Sequence, residues 1–356
     1  MNKEHARSLS PVAVKVLLTA IFILTIAAII LQFAADLQFN SAKKLESVYL
    51  WQEARGKYQL AIKLNPFNAQ YLAGLGDFLR GKSVYQEDRI AWLKMAEKLY
   101  ARALELNPRC AEYAVSSGQV KLELFLSDKD KFKDRFSLGL DALKKALKND
   151  PNGFNTSYSV GYAGMTVWNN LNALEQEWVL DRLRYSLKIN PWYSEHIYPY
   201  LWQVTKDSRL LRKIRPAESA QEKSEKLKRI ERIKQGNLGQ SWQGKSRGGD
   251  VYENGNMYWT GTVDAAVNAP KGKATVKIQA KGSPADDMWP YMLVELDGEE
   301  IGETFVDTPE WKEYEFRVDT SGGGVKVLSV TFTNDAGNKE EDRNLYVGEA
   351  KVEVQE

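Results

Sequence analysis

Residues 330–347 read VTFTNDAGNKEEDRNLYV. Val330 and Phe332 alternate with polar neighbours, as do Leu345 and Val347, so two strand-like runs flank a loop. That loop is crowded with oxygen-bearing side chains: Asn334, Asp335, Asn338, Glu340, Glu341, Asp342 and Asn344. Hard cations such as calcium take six to eight oxygens from carboxylates, amides and carbonyls, and a loop between antiparallel strands can fold such groups around one point. A solvated acidic hairpin has the same composition, so ligand count alone does not separate the two readings.

The two-residue period extends upstream. Val276, Ile278 and Ala280 alternate with polar residues, as do Met292, Val294 and Leu296, then Tyr314, Phe316 and Val318, and finally Val352 and Val354. Turns at Asp297-Gly298 and Ser321–Gly324 separate them, a spacing that predicts an antiparallel β-sandwich. Trp289, Trp311 and Tyr346 are read as core, and as carbohydrate-stacking platforms wherever one stands exposed beside the loop.

The stretch resembles the signature of the calcium-dependent, xylan-binding type of carbohydrate-binding module: F-T-N-D, a short loop, then D/R-N-L-Y-V. The likeness continues through Gly272–Gly282 (GKATVKIQAKG), Trp289–Gly298 (WPYMLVELDG) and Trp311–Val318 (WKEYEFRV). The resemblance implies a sandwich whose calcium takes vicinal sugar hydroxyls as its last ligands. It makes Asp335 and Asp342 the carboxylate ligands, with Asn344 and loop carbonyls as helpers. Many such modules carry an Asp after L-Y-V; here Gly348-Glu349 stands there.

At the other end, Val16–Ala35 (VLLTAIFILTIAAIILQFAA) holds no charge for 20 residues, about what a helix needs to cross a bilayer. Lys3, Arg7 and Lys15 precede it against Glu4, so the positive-inside rule keeps the N-terminus cytoplasmic and exports the rest. A cleaved signal peptide is the competing reading, but the apolar run is long and lacks an A-x-A-like site.

Between the two ends a helix-stopping phrase recurs: Leu64-Asn65-Pro66, Leu106-Asn107-Pro108, Asn149-Asp150-Pro151 and Ile189-Asn190-Pro191. Proline lacks an N–H and pushes the preceding residue out of helical geometry. Ala61, Ala103 and Ala146, then Gly76, Gly118 and Gly161, keep fixed offsets from these prolines. The pattern resembles the tetratricopeptide repeat, with Tyr58 and Tyr100 in its aromatic position. The 40–43-residue period exceeds the usual 34, which places extra residues in the first helix or the turn after it, and the fourth unit, with Ser186 and Leu201, has the character of a cap. Such repeats imply either a helical spacer or a concave surface for a protein partner. Aromatics from Phe154 to Trp202 are read mostly as core, with Trp192-Tyr193 as a possible exposed patch.

Lys206–Gln235 carries 11 basic and 5 acidic residues, and Glu218–Lys234 is read as the closing helix of the solenoid, with Leu227, Ile230 and Ile233 on one stripe. The expected organisation is a cytoplasmic 1–15, an anchor at 16–35, helical repeats over 36–235, and a sandwich over 236–356. It is a multidomain chain, α then β.

Residues 240–356 hold 12 basic and 22 acidic side chains, a net −10, whereas the whole chain is +2. An acidic binding module argues against a nucleic-acid partner. The single Cys110 excludes an internal disulfide, and two histidines argue against a zinc cage or a histidine triad. Paired carboxylates such as Asp286-Asp287 or Glu340–Asp342 could serve a glycosidase, but acids confined to one loop of a sandwich fit sugar binding better, and no phosphate cradle or nucleophile elbow is found. The expectation is a non-enzymatic envelope protein, periplasmic or extracellular in bulk. It would bind polysaccharide through calcium and hold a protein on its repeats, in exopolysaccharide or O-antigen assembly or export. The rival is an assembly scaffold that makes only protein contacts.

Overall fold

The computed structural model describes residues 11–236, 242–246, 251–253, 255–285, 288–335, 337 and 340–355. The basic N-terminal flank (Lys3, Glu4, Arg7), the Asp286-Asp287 pair, Asn338 and the side chain of Trp192 lie outside the described residues. The chain divides into two compact units, residues 1–163 and 164–356.

The first unit is helical: α1 (Pro11–Ser47), α2 (Trp51–Leu64), α3 (Ala69–Lys82), α4 (Arg89–Leu106), α5 (Ala111–Ser127) and α6 (Lys133–Asn149), with α7 (Phe154–Thr166) crossing the division. Consecutive helices pack as pairs, α1 with α2, α3 with α4 and α5 with α6. Asn65 and Asn107 leave helical geometry at φ −140° and −137°, just before the prolines that cannot supply the next N–H. The small residues lie in the close approaches. Ala54, Ala61, Ala96, Ala103 and Ala146 are fully buried. A Cβ on Gly76 would stand 2.9 Å from the Tyr100 ring, and one on Gly118 would stand 2.8 Å from Leu143. Tyr58 and Tyr100 fill the core and keep their hydroxyls bonded, to Glu46 at 2.9 Å and Asp77 at 2.6 Å. The extra length of the repeat lies in the connection 83–88, as expected, and also in the 18 residues of the second helix α4.

α1 runs without interruption for 37 residues. Its first half is exposed and apolar, and it is long and apolar enough to cross a membrane. Its second half buries Ala35, Phe39 and Ala42 in the core shared with α2 and α3.

Among the described residues, the second unit joins α8 (Ala173–Ile189), α9 (Ser194–Thr205), α10 (Ser208–Ile214) and α11 (Ala220–Gln235) to ten antiparallel strands. The strands are β1 (Gln243–Ser246), β2 (Val251–Glu253), β3 (Asn256–Met257), β4 (Gly261–Ala269), β5 (Gly272–Ser283), β6 (Tyr291–Leu296), β7 (Glu299–Phe305), β8 (Lys312–Thr320), β9 (Gly324–Phe332) and β10 (Asn344–Val354). One sheet has the order β2-β1-β4-β9-β6-β7 and the other β3-β10-β5-β8. Val276, Ile278, Val294, Phe316, Val330 and Val347 face into one core between them. Asp297 (φ 53°) and Gly298 (φ 84°) make the tight β6–β7 turn, both left-handed as a two-residue type I′ hairpin requires.

The helix read as the end of the solenoid packs on the sandwich instead. Ile230 and Ile233 of α11 meet Val327 of β9, while Leu227 points to solvent at 56% exposure. The apolar stripe is therefore narrower than its spacing predicts, because at the next position along the contact edge Lys226 reaches Glu295 at 2.7 Å. Arg229 pairs with Asp264 at 3.1 Å and Lys234 with Asp297 at 3.0 Å. From α10, Arg212 meets Glu303 at 2.6 Å, and Arg215 meets Glu300 at 3.0 Å and also Glu303. Trp202 of α9 stacks on Phe305 of β7, with ring centroids 4.3 Å apart. Much of the sequence's charge asymmetry thus closes within this unit, basic helices against acidic strands.

Candidate functional site

β9 leads into Asn334-Asp335, an antiparallel bridge between Gly337 and Asp342 narrows the loop, and β10 begins at Asn344. Asn334 and Arg343 tie the two stems to Ala285 and to Met288, Trp289 and Tyr291. The Asn334 side chain accepts from the Tyr291 N–H at 2.6 Å and donates to the Trp289 carbonyl at 2.9 Å. Its amide oxygen therefore serves the backbone. Arg343 is fully buried and donates to the carbonyls of Met288 at 2.7 Å, Asn334 at 2.6 Å and also Ala285. Nothing in its sequence neighbourhood separates Arg343 from a surface charge, yet a buried guanidinium is tolerated only when carbonyls satisfy its planar fork.

Asp335 is half-buried on one stem of the loop, and Asp342 is exposed on the other. Ser283 of β5 anchors the second stem: its hydroxyl donates to the Asp342 carbonyl at 2.6 Å and accepts from the Asn344 N–H at 3.0 Å. The Asn344 amide group donates to the Asp342 carboxylate at 3.1 Å. Its oxygen, Oδ1, is buried and has no hydrogen-bond partner. Among the described residues, no three His, Cys, Asp or Glu side chains converge as a metal cage.

Alternation along β10 puts Tyr346 on the same outer face as Asn344, about 7 Å farther on. Tyr346 is in register with Lys281 of β5, whose ammonium lies 5.5 Å from the Tyr346 ring centroid and 5.0 Å from that of Trp311. Trp311, half exposed, lies over Gly348, where a Cβ would come within 3.1 Å of its ring. Gly348 belongs to the bulge between Val347 and Ala350, so the residue found where related motifs carry Asp seats an indole here. Tyr258 stands edge-on to Tyr346 at 6.0 Å and beside Trp259 at 6.1 Å. The row therefore runs Trp259, Tyr258, Tyr346, Lys281, Trp311 across the outer face of the four-stranded sheet. Burial, then the neighbouring Tyr258 and the Asp342 carboxylate, push the Tyr346 hydroxyl above its usual pKa.

Of the residues singled out from sequence, Asp342, Asn344, Tyr346 and Trp311 share one face. Trp289 belongs to the adjoining segment held by Asn334, and it is half-buried. Tyr258 and Trp259 had a legible signal: two adjacent aromatics in the turn-rich stretch GNMYWTG, outside the alternating strands.

Residues 275–356 match the model of the Ca-dependent, xylan-binding carbohydrate-binding module family (CBM60). The solved structures similar to the chain include the TPR domain of Arabidopsis OM64, a thermophilic TPR protein of Thermus thermophilus, and MamA. The identities are 16%, 15% and 16%, over 40%, 51% and 49% of this chain and 99%, 86% and 87% of those chains, with TM-scores of 0.32, 0.40 and 0.35. No curated protein sequence matches the chain at a significant level. The chain thus carries a run of paired helices ahead of a sandwich whose residues 275–356 match a carbohydrate-binding family model.

Proposed function

We propose that this protein is held in a membrane by the first half of α1, with its N-terminus cytoplasmic, and captures polysaccharide on the outer face of its sandwich. In this reading a calcium ion at the Asp335/Asp342/Asn344 loop and the Tyr346–Trp311 row act on one sugar chain. The observation that carries it is the shared face of Asp342, Asn344, Tyr346 and Trp311, on a segment that matches a Ca-dependent family.

The donor chemistry fits a hard cation. Carboxylates and an amide oxygen are what calcium selects. The buried, unpartnered Oδ1 of Asn344 needs a positive or donating group. Rotating that amide by half a turn would present Oδ1 beside Asp342 in place of the amide nitrogen, an exchange that an ion between them favours. Bound there, calcium would supply a Lewis-acid anchor for two adjacent hydroxyls. The protein's own part is to fix the two stems through Ser283 and Arg343, and to offer flat rings to the apolar face of a pyranose. Lys281 adds a hydrogen-bond donor for ring or hydroxyl oxygens.

The repeats, in this reading, recruit another protein, and the whole serves exopolysaccharide or O-antigen assembly or export as a binder, not a catalyst. A glycan array probed with full-length protein, with and without chelator, tests it. Retention of xylan-like or other diol-bearing glycans only when calcium is present is expected; an array silent under both conditions would refute the binding role.

A further inference from the structure

The geometry points to a second membrane contact: the α2–α3 turn, with Phe67 at its tip, dips into the outer interface of the bilayer that α1 spans. This inference rests on α1 being a membrane anchor.

The solenoid does not begin where the apolar run ends. The run continues to Ala35, yet solenoid contacts start at Gln32. Gln32 donates to the Tyr71 hydroxyl at 2.9 Å and accepts from the Asn65 side chain, and Tyr71 in turn bonds Asp36. Ala35 is fully buried against the repeats, while Ile30 and Phe33 on the open side remain 61% and 64% exposed. The turn that follows α2 is therefore level with the last turn of the apolar run. A run of 20 residues at 1.5 Å each matches a hydrocarbon core of about 30 Å, so Gln32 falls about 5 Å inside its outer edge.

Phe67 occupies this turn, its N–H bonded to the Asn65 side chain at 3.2 Å. Its ring is 74% exposed, among the most exposed large apolar side chains of the solenoid. A large apolar ring facing water has no folded-state benefit, whereas at the headgroup boundary its burial is favourable. The absence of a Pro or Gly between Val16 and Ser47 makes α1 a single rod through the junction. With a rigid rod and a fixed turn, the solenoid has one allowed height over the bilayer and meets it at two points instead of swinging on a linker.

The test places a spin label at one site at a time in full-length Cys110→Ser protein, reconstituted in phosphatidylcholine–phosphatidylglycerol vesicles. The sites are Phe67→Cys, Ile23→Cys in the apolar run, and Val84→Cys, beyond the far end of α3 and so about 20 Å from the turn. Relative accessibility to oxygen and to a water-soluble nickel chelate reports depth. Labels at 23 and 67 are expected to favour oxygen and exclude nickel, and the label at 84 the reverse. If the label at 67 behaves like that at 84 while 23 is in lipid, the anchor stands and the second contact is refuted. If 23 is itself aqueous, the anchor fails and the inference with it.

Discussion

Tyr346 on β10 and Lys281 on β5 are register partners, and the lysine's ammonium lies between the rings of Tyr346 and Trp311, 5.5 Å and 5.0 Å from their centroids. A cation held over two rings keeps both side chains ordered on an exposed sheet face. Trp311→Ala should therefore weaken oligosaccharide binding about tenfold, roughly 1.4 kcal/mol, with little change in thermal stability because the indole is half exposed. Calorimetric titration and a melting curve check the two halves; a large loss of stability would make Trp311 a core residue instead.

Arg343 is the residue on which the loop's shape depends. Arg343→Lys keeps the charge but cannot satisfy the carbonyls of Met288, Asn334 and Ala285 with a planar fork. A loss of about 3 kcal/mol is expected. It should be seen as faster amide exchange at the start of β10 and across 288–291, ahead of the rest of the sandwich.

Asp297 closes the β6–β7 hairpin and also takes the α11 contact. Burial works to raise its pKa, but the Val327 N–H, Lys234 and Lys326 outweigh it and hold the carboxyl below its ordinary value. A folded-state pKa below the unfolded one gives stability that is present above the unfolded value, about 3.9, and is lost as pH falls through the depressed folded value. Asp297→Asn tolerates the left-handed backbone and keeps the Val327 bond, yet loses both lysines. It should cost about 1 kcal/mol at neutral pH, with the difference from wild type shrinking as pH falls below the unfolded value in urea unfolding.

Ile233→Asp tests whether α11 belongs with the sandwich. Burying a charge against Val327 should cost about 2–4 kcal/mol at that contact and release α11 to amide exchange, leaving α3–α6 protected. Protection of α11 that survives the substitution would show that Lys226, Arg229 and Lys234 hold it unaided.

Much of this architecture is legible in the residues. The Asn-Pro phrases mark helix ends because proline's missing N–H is a local fact, and the alternation from Val276 to Val354 marks strands because a period of two is local as well. What escaped was non-local. The partner of Ile230 and Ile233 could not be read, since a helix stripe names a buried face and not what covers it. Arg343 reads as one more surface charge until the carbonyls of Ala285 and Met288 close on it. The Tyr258–Tyr346–Trp311 row needs strand register between β3, β10, β5 and the approach to β8, which no single segment encodes.

The most direct measurement is calorimetric titration of the full-length protein with a xylo-oligosaccharide, in calcium and again in chelator, for wild type and Asp342→Ala. Saturable binding in calcium should vanish in chelator and fall at least about a hundredfold in the variant, with the melting temperature of the calcium-free protein unchanged by the substitution. Undiminished binding in chelator would contradict an ion at Asp342 and Asn344 as the group that holds the sugar.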